Sequence, residues 1–313
     1  MAFDNGPYVW FDGKFVEWDK ATVHVTTHAL HYGSSVFEGI RCYETPAGPA
    51  IFRLEPHVTR LLNSCKLARI DMPWSRAEVF NAIVETVARN GQPSCYIRPL
   101  VFRGSNVLGV DGRKCPTQMV IFNWVWGRYL GPDAIEKGVD VGVSAWRRLA
   151  PGTGSSLAKI GGQYINSQWM KMQAVDDGYS EAIALDVNGN VSEGSGENIF
   201  LVLDGVLYTP PLASSILSGI TRHSVMTIAS ELGLEVHEQV LSRDMLYIAD
   251  EAFFTGTAAE ITAIRSVDRV TIGNGARGPV TKTIAERFFE IVSGKVADQY
   301  GWLTPVKAPA VVK

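Results

Sequence analysis

The stretch Glu181-Ala-Ile-Ala-Leu-Asp-Val-Asn-Gly189-Asn-Val-Ser-Glu193-Gly-Ser-Gly-Glu-Asn198-Ile-Phe-Leu-Val-Leu203 decides the fold class. Asn188-Gly189 predicts the turn of a β-hairpin. After a glycine-rich bend, Asn198–Leu203 and Val206–Leu207 read as strands around Asp204-Gly205. Strand follows strand without the crossover helix of a βαβ unit. Layers of α+β type are therefore expected, not one doubly wound sheet.

Working outward, the chain upstream shows a strand near Val139–Trp146, a Gly/Ser loop and a helix over Gln163–Asp176. Downstream, a helix over Ile220–Leu232 carries Val225, Ile228, Ala229 and Leu232 on one face and stops at Gly233. A last helix spans Val280–Val292, and the tail from Thr304, with Pro305 and Pro309, is expected to be loose. In the first half, Tyr8–Trp18 alternates around Asp12-Gly13 and predicts another hairpin, and Val36–Tyr43 reads as a strand. Val58, Leu61, Leu62 and Cys65 form a helical stripe behind Pro56. Phe80, Ile83, Val84 and Val87 form a second, opened by the capping box Ser75-x-x-Glu78 and closed by Gly91. Strands resume at Cys95–Phe102 and Thr117–Trp124. The polar segment 127–137, with Gly131-Pro132, breaks both periodicities. The expected division is a small N-terminal domain, 1–126, a connection, 127–137, and a large domain, 138–313.

Length agrees with two domains, at 313 residues. Apolar residues make up 46% and charged residues 19%, with a net charge of −3, which excludes disorder and argues against nucleic acid or anionic membrane as a partner. Met1-Ala2-Phe3-Asp4 has no basic or apolar leader pattern, and Gly205–Thr221 is too short and too rich in proline to span a bilayer. A soluble cytoplasmic protein is expected. Cys42, Cys65, Cys95 and Cys115 are too widely spaced for a CxxC site, so free thiols are expected. The 30 glycines suggest turns, some of them shaped around a ligand.

Two motifs fail. Gly273-x-Gly275-x-x-Gly278 matches a dinucleotide fingerprint but lacks the βαβ unit and the following acid, so it reads as a turn. His24, His28 and His31 have the spacing of helical metal ligands, but their β-branched neighbours argue against a helix; structural histidines and no metal site are expected.

Lys159 is the only charged residue between Leu149 and Met170. An ammonium among apolar groups loses hydration and gains nucleophilic character, as a Schiff-base lysine requires; a surface lysine in an uncharged loop is the plain alternative. Glu193, in its glycine-rich bend, suits a carboxylate that keeps a pyridinium nitrogen protonated, or a polar turn. Ser218-Gly219-Ile220-Thr221-Arg222 opens a helix whose free N–H groups attract phosphate, or are capped by Ser218 or Thr221.

Lysine, carboxylate and phosphate cradle in this order resemble the pyridoxal-phosphate enzymes of fold type IV, the class IV aminotransferases. Within them the chain resembles the branched-chain amino-acid aminotransferases. The resemblance runs through 27–41, Tyr96-Ile-Arg-Pro-Leu100, Ala158-Lys-Ile-Gly-Gly-Gln-Tyr164, 181–189, 192–200, Ser218–Arg222 and 242–265. It implies a two-domain fold of the D-amino-acid aminotransferase kind, with a smaller N-terminal α/β domain, a β-barrel-like core in the larger one, and pyridoxal 5′-phosphate between them. Lys159 would bind the cofactor covalently and shuttle the substrate proton. Tyr164 would meet the phenolic oxygen and Glu193 the ring nitrogen. Arg60, Ile220, Thr221 and Thr257 would take the phosphate, with Gly196, Leu217 and Gly256 around the cofactor. Substrate would meet Phe37, Gly39, Trp126 and Tyr129, with Tyr32 and Val110 from a partner subunit. The α-carboxylate would take Tyr96 and the N–H groups of Thr257 and Ala258, and Arg98 the distal carboxylate of glutamate. The implied reaction is reversible transamination between leucine, isoleucine or valine and 2-oxoglutarate, in a homodimer that leaves room for a homohexamer. D-amino-acid transamination, an aminodeoxychorismate-lyase-like elimination and a non-catalytic cofactor-binding protein remain as alternatives. Ile160 stands where many members carry a small residue, and Ser218 where proline or a charge is common.

Overall fold

The computed structural model describes residues 4–127, 129–131 and 133–307. The first residues of the leader reading, Met1–Phe3, and the tail with Pro309 lie outside them, as does Pro132 of the expected connection. By packing, the chain forms two units that are not consecutive in sequence. One contains residues up to Trp126, the short piece Ala158–Gly162 and the chain from Glu290 onward; the other contains Gly127–Leu157 and Gln163–Phe289.

In the first unit a nine-stranded antiparallel sheet runs in the order Leu303–Pro305, Ala50–Phe52, Ile40–Tyr43, Cys95–Arg103, Thr117–Val125, Tyr8–Phe11, Lys14–Glu17. Short strands Ser35–Phe37 and Asp4–Asn5 attach to Cys95–Arg103 and Thr117–Val125. The hairpin at Asp12-Gly13 forms as expected, with φ of 47° and 94° at those two residues. The helices Leu54–Leu67 and Arg76–Asn90 bury Val58, Leu61, Cys65, Val79, Ile83 and Val87 in one core with Ile40, Ile97 and Ile121. The Ser75/Glu78 capping box is present, and Gly91 closes its helix in the left-handed region.

The second unit holds a mixed sheet of nine strands that curls as a half-barrel. Its strand Val139–Arg147 lies parallel to both Glu181–Leu185 and Glu260–Val267. The remaining neighbours, Val191–Gly194, Glu251–Gly256, Asn198–Leu203 and Val206–Thr209, are antiparallel until Val236–Glu238 adds a parallel edge. The helices Tyr164–Asp176 and Ile220–Glu231 belong to this unit. The content is α+β throughout, and all four cysteines are buried free thiols.

Four local expectations change. Thr304 is not loose: Leu303–Pro305 pairs with Ala50–Phe52, because that strand otherwise presents an open edge to be hydrogen-bonded. His28 and His31 do lie on a helix, the single turn His28–Tyr32. It is closed by Gly33 and tied down by His28 Nδ1 to Ser34 Oγ and His28 Nε2 to the Gly109 carbonyl, and these contacts override β-branched propensity. Leu232 follows the last turn of its helix and is exposed rather than buried. Residues 127–137 are not mere connection: Ala134–Lys137 forms a helical turn, and Leu130 and Ala134 join the core of the second unit.

Candidate functional site

The backbone of Lys159 is held within the first unit. Its N–H donates to Ser64 Oγ at 3.0 Å, its carbonyl accepts from Phe37 N at 3.0 Å, and Ile160 forms a β-bridge to Val36. Gly162 explains why a bulkier residue cannot follow. Its N–H reaches the Gly33 carbonyl, and a Cβ there would sit 2.9 Å from that oxygen. Gly161-Gly162 thus serve chain-to-chain approach, a nearer cause than the ligand suggested by glycine content alone.

The Lys159 ammonium stands 5.0 Å from the centre of the Phe37 ring. Arg98 shares that ring at 4.7 Å and also faces Tyr96 and Trp124 at 5.5 and 5.6 Å. Among the described residues no acid pairs with Arg98, and its buried Nε has no hydrogen-bond partner. A guanidinium held by ring faces with an unmet donor is suited to receive an anion. Tyr96 packs edge-on to Trp126 at 4.8 Å, and Arg41 Nη1 donates to the Trp126 carbonyl. Gly39 lies so close that a Cβ would fall 1.7 Å from the Tyr96 hydroxyl, so this position admits no side chain with Tyr96 in place.

Arg60 points into a buried ionic group. Its Nε and Nη2 donate to the two oxygens of Glu38 at 2.7 and 2.8 Å, and His57 Nδ1 lies 2.7 Å from the second. Burial would raise the Glu38 carboxyl, but the Arg60 charge and the hydrogen bonds from Arg60 and His57 hold it well below the usual range. Burial pushes the His57 imidazole down, and the opposing pull of Glu38 does not restore it. A neutral His57 facing an ionised Glu38 must carry its proton on Nδ1 and donate it. Tyr32 and Val110 occupy exposed surface; the Tyr32 hydroxyl donates to the Leu108 carbonyl, and Val110 is 83% exposed.

In the second unit Glu193 is buried and held from several sides. Arg148 Nη2 donates to Oε1 at 2.8 Å, and Asn198 Nδ2 and Leu217 N donate to Oε2 at 3.1 and 3.0 Å. Such a set of donors fixes the orientation of the carboxylate. Asn198 also donates to the Leu217 carbonyl, which joins the strand Asn198–Leu203 to the loop before the next helix. That helix opens at Ile220 and Thr221 after Gly219, an N-cap residue with no side chain of its own to cap it. The start of this twelve-residue helix presents N–H groups suited to an anion. Thr257 and Ala258 lie in the turn between strands Glu251–Gly256 and Glu260–Val267, directly after Gly256 ends the first. Beside it Thr255 Oγ1 is buried with no partner, an unmet hydroxyl that fits a ligand with polar atoms. Tyr164 is the half-buried first residue of its helix, Gly196 is exposed at the bend, and Tyr129 meets the Lys171 ammonium at 5.3 Å.

The first unit therefore brings together Lys159, Phe37, Tyr96, Arg98, Trp126 and Gly39, and the second brings Glu193 to Leu217 and sets Thr257 and Ala258 in the turn that follows Gly256. Glu38, His57, Arg148 and Asn198 were missed. Asn198 sits inside the quoted bend and could have been found as the amide following its acids. The other three give no local signal, because their partners are distant in sequence.

Residues 35–267 match the amino-transferase class IV family. The branched-chain-amino-acid aminotransferase of Salmonella typhimurium is 50% identical over 309 residues, covering 98% of this chain and 100% of that protein. The crystal structure of the Escherichia coli branched-chain amino acid aminotransferase superposes with a TM-score of 0.95 at 50% identity, over 96% of this chain and 100% of that one. The branched-chain amino acid aminotransferase from Thermobaculum terrenum, in its PLP-bound holo form, gives 0.91 at 36% identity, over 97% and 99%. The lysine strap, the clamped carboxylate and the helix that opens at Ile220 thus lie in a chain that belongs to amino-transferase class IV.

Proposed function

We propose that this chain is a pyridoxal 5′-phosphate-dependent transaminase that moves the amino group between leucine, isoleucine or valine and 2-oxoglutarate. Half-identity along nearly the whole chain to branched-chain-amino-acid aminotransferases supports the reaction. The observation that carries the substrate range is Arg98, caged by aromatic rings without an acid. One pocket must take an aliphatic side chain and then a carboxylate. A cation parked on ring faces meets both needs: it stays stabilised beside an aliphatic group and turns its donors to the glutamate carboxylate.

The cofactor, when bound, supplies an aldehyde that takes up the amino group and a ring that accepts the electrons of the Cα–H bond. Lys159 Nζ holds the cofactor and then carries the proton from the substrate Cα. Glu193, oriented by Arg148, Asn198 and the Leu217 N–H, holds a proton at the ring nitrogen. Tyr164 donates to the phenolic oxygen. The phosphate is received by Arg60, by the N–H groups of Ile220 and Thr221 and by Thr257, with Gly196 and Gly256 giving the backbone room. Tyr96 and the N–H groups of Thr257 and Ala258 orient the α-carboxylate. Phe37, Gly39, Trp126 and Tyr129 line the side-chain pocket, and Tyr32 and Val110 of a second copy complete it in a homodimer. Small amino and oxo acids are the partners, and the cytoplasm is the setting. Among the described residues no helix is long and apolar enough to cross a membrane.

The test is a set of half-reactions followed by the cofactor's visible spectrum. L-leucine and L-glutamate each convert the aldehyde form to the amine form, D-alanine does not, and Lys159→Ala abolishes turnover. Conversion by D-alanine but not L-leucine overturns the substrate assignment. Arg98→Ala weakens glutamate by roughly tenfold or more, the worth of a lost charge-assisted hydrogen bond, and weakens leucine far less.

A further inference from the structure

The strands Cys95–Arg103 and Thr117–Val125 are joined by residues 104–116, a compact loop whose ends meet: the Gly104 N–H donates to the Pro116 carbonyl at 2.8 Å. Its outer residues Leu108 and Val110 are apolar and exposed, whereas His28, which the loop surrounds, is buried. The His28 backbone N–H donates to the Gly104 carbonyl at 3.1 Å. Its Nε2 donates to the Gly109 carbonyl at 2.9 Å, since a carbonyl can only accept. The ring also fills the space beside Gly112, where a Cβ would lie 2.6 Å from His28 Cε1. We infer that His28 is a positioning residue, the peg around which loop 104–116 is wound so that Val110 stands ready to enter the substrate pocket of a second copy.

The inference rests on the proposed reading of Tyr32 and Val110 as substrate contacts supplied by a partner. The bonds around His28 brace the same peg. Ser34 Oγ lies 2.7 Å from its Nδ1, and the Ser34 carbonyl accepts the Arg103 N–H at 3.1 Å. Arg103 in turn sends Nη1 to the Gly112 carbonyl at 2.9 Å. Tyr32 tilts over the imidazole with 4.6 Å between ring centres, and its hydroxyl donates to the Leu108 carbonyl at 2.6 Å. One helical turn, His28–Tyr32, thus grips the loop at the carbonyls of Gly104, Leu108 and Gly109. This bracing buries almost none of Val110, so packing within the chain does not account for it. Its effect falls on association, because a loop already in its bound shape loses less conformational freedom when its tip is covered.

The experiment follows half-reactions of the holoenzyme by the cofactor's visible spectrum over a range of amino-acid concentrations. His28→Ala should raise the half-saturating concentration of L-leucine by roughly five- to tenfold, the scale of ordering a loop anew on binding, and leave the limiting rate within about twofold. L-alanine, whose side chain is too short to fill the pocket, should saturate as before. His28→Gln, whose amide can donate to the Gly109 carbonyl, should restore most of the loss. Ser34→Ala removes only the brace on Nδ1; it should give a smaller shift of the same kind and carries the test if His28→Ala does not fold. The decisive arm is a hybrid of His28→Ala and Lys159→Ala chains, purified through two different affinity tags. Its one reactive lysine receives the loop of the chain with His28 intact, so leucine saturation should return to the parent value. A hybrid that keeps the raised value overturns the peg, as does failure of the two chains to copurify. Equal losses for leucine and alanine also overturn it, as the mark of a merely structural histidine. If Val110→Ala leaves leucine saturation unchanged, the reading of Val110 falls first and the peg with it; if Val110→Ala shifts it and His28→Ala does not, the peg alone falls.

Discussion

Glu38 and Glu197 are both buried carboxylates, one in each unit, and their surroundings push them in opposite directions. Burial alone would raise Glu38, yet the charge and hydrogen bonds of Arg60, with the hydrogen bond from His57, bring it far below the usual range. Burial also raises Glu197, and there the Glu181 carboxylate adds to it. The Gly196 N–H and the Lys171 charge offset only part, and the acid is pushed up to about 8. The depth of burial does not separate the two. What separates them is whether the neighbours are cations or other acids.

The contrast can be broken most forcefully at Glu38. Glu38→Ala removes the buried carboxylate that pairs with Arg60, and unfolding by urea at neutral pH should show a loss of about 3–5 kcal/mol. A loss below about 1 kcal/mol would mean the pair contributes little. Because the folded acid is lowered, its contribution is present above the ordinary carboxylate range and is lost only as pH falls through the depressed value. The cost of the substitution should therefore stay constant from mildly acidic to mildly alkaline pH.

Glu197→Gln sharpens the other side. A raised acid contributes stability that is present below the ordinary carboxylate pKa and is lost as pH rises through about 8. Glutamine keeps an acceptor for the Gly196 N–H and cannot ionise. The melting temperature of the variant relative to the parent should climb between about pH 5 and about pH 9; a flat difference would place Glu197 outside the acid cluster's influence. The smallest effect is expected at Asp111, which the hydrogen bond from Arg113 lowers just as Arg60 and His57 lower Glu38, but on open surface. Asp111→Ala should leave the melting temperature unmoved at physiological salt, and a measurable drop would show that direction of shift, rather than burial of the partner, sets the energy.

Local chemistry was readable in the sequence wherever a turn or cap fixes it. Asp12-Gly13, Asn188-Gly189, the Ser75/Glu78 box and the stop at Gly91 each act within a few residues, and each forms. Lys159 was readable because the absence of other charges around it is itself a local pattern. The hidden parts depend on distance. Glu38 meets His57 and Arg60 across 19 and 22 positions, and Asn198 meets Leu217 across 19. The strand Leu303–Pro305 needs an edge some 250 residues away, which no window around its prolines reveals.

The five-residue piece Ala158–Gly162 is stitched by Ser64, Phe37, Val36 and Gly33 into a unit to which its flanking chain does not belong. In genetic terms the reactive lysine and its scaffold are not one cassette. A fragment ending at Trp126 carries the seat without the lysine, and one beginning at Gly127 carries the lysine without the seat. Recombination between relatives that cuts there would mix parts whose fit was selected together, so exchanging either half demands that residues 33–37, 64 and 158–162 travel as a matched set.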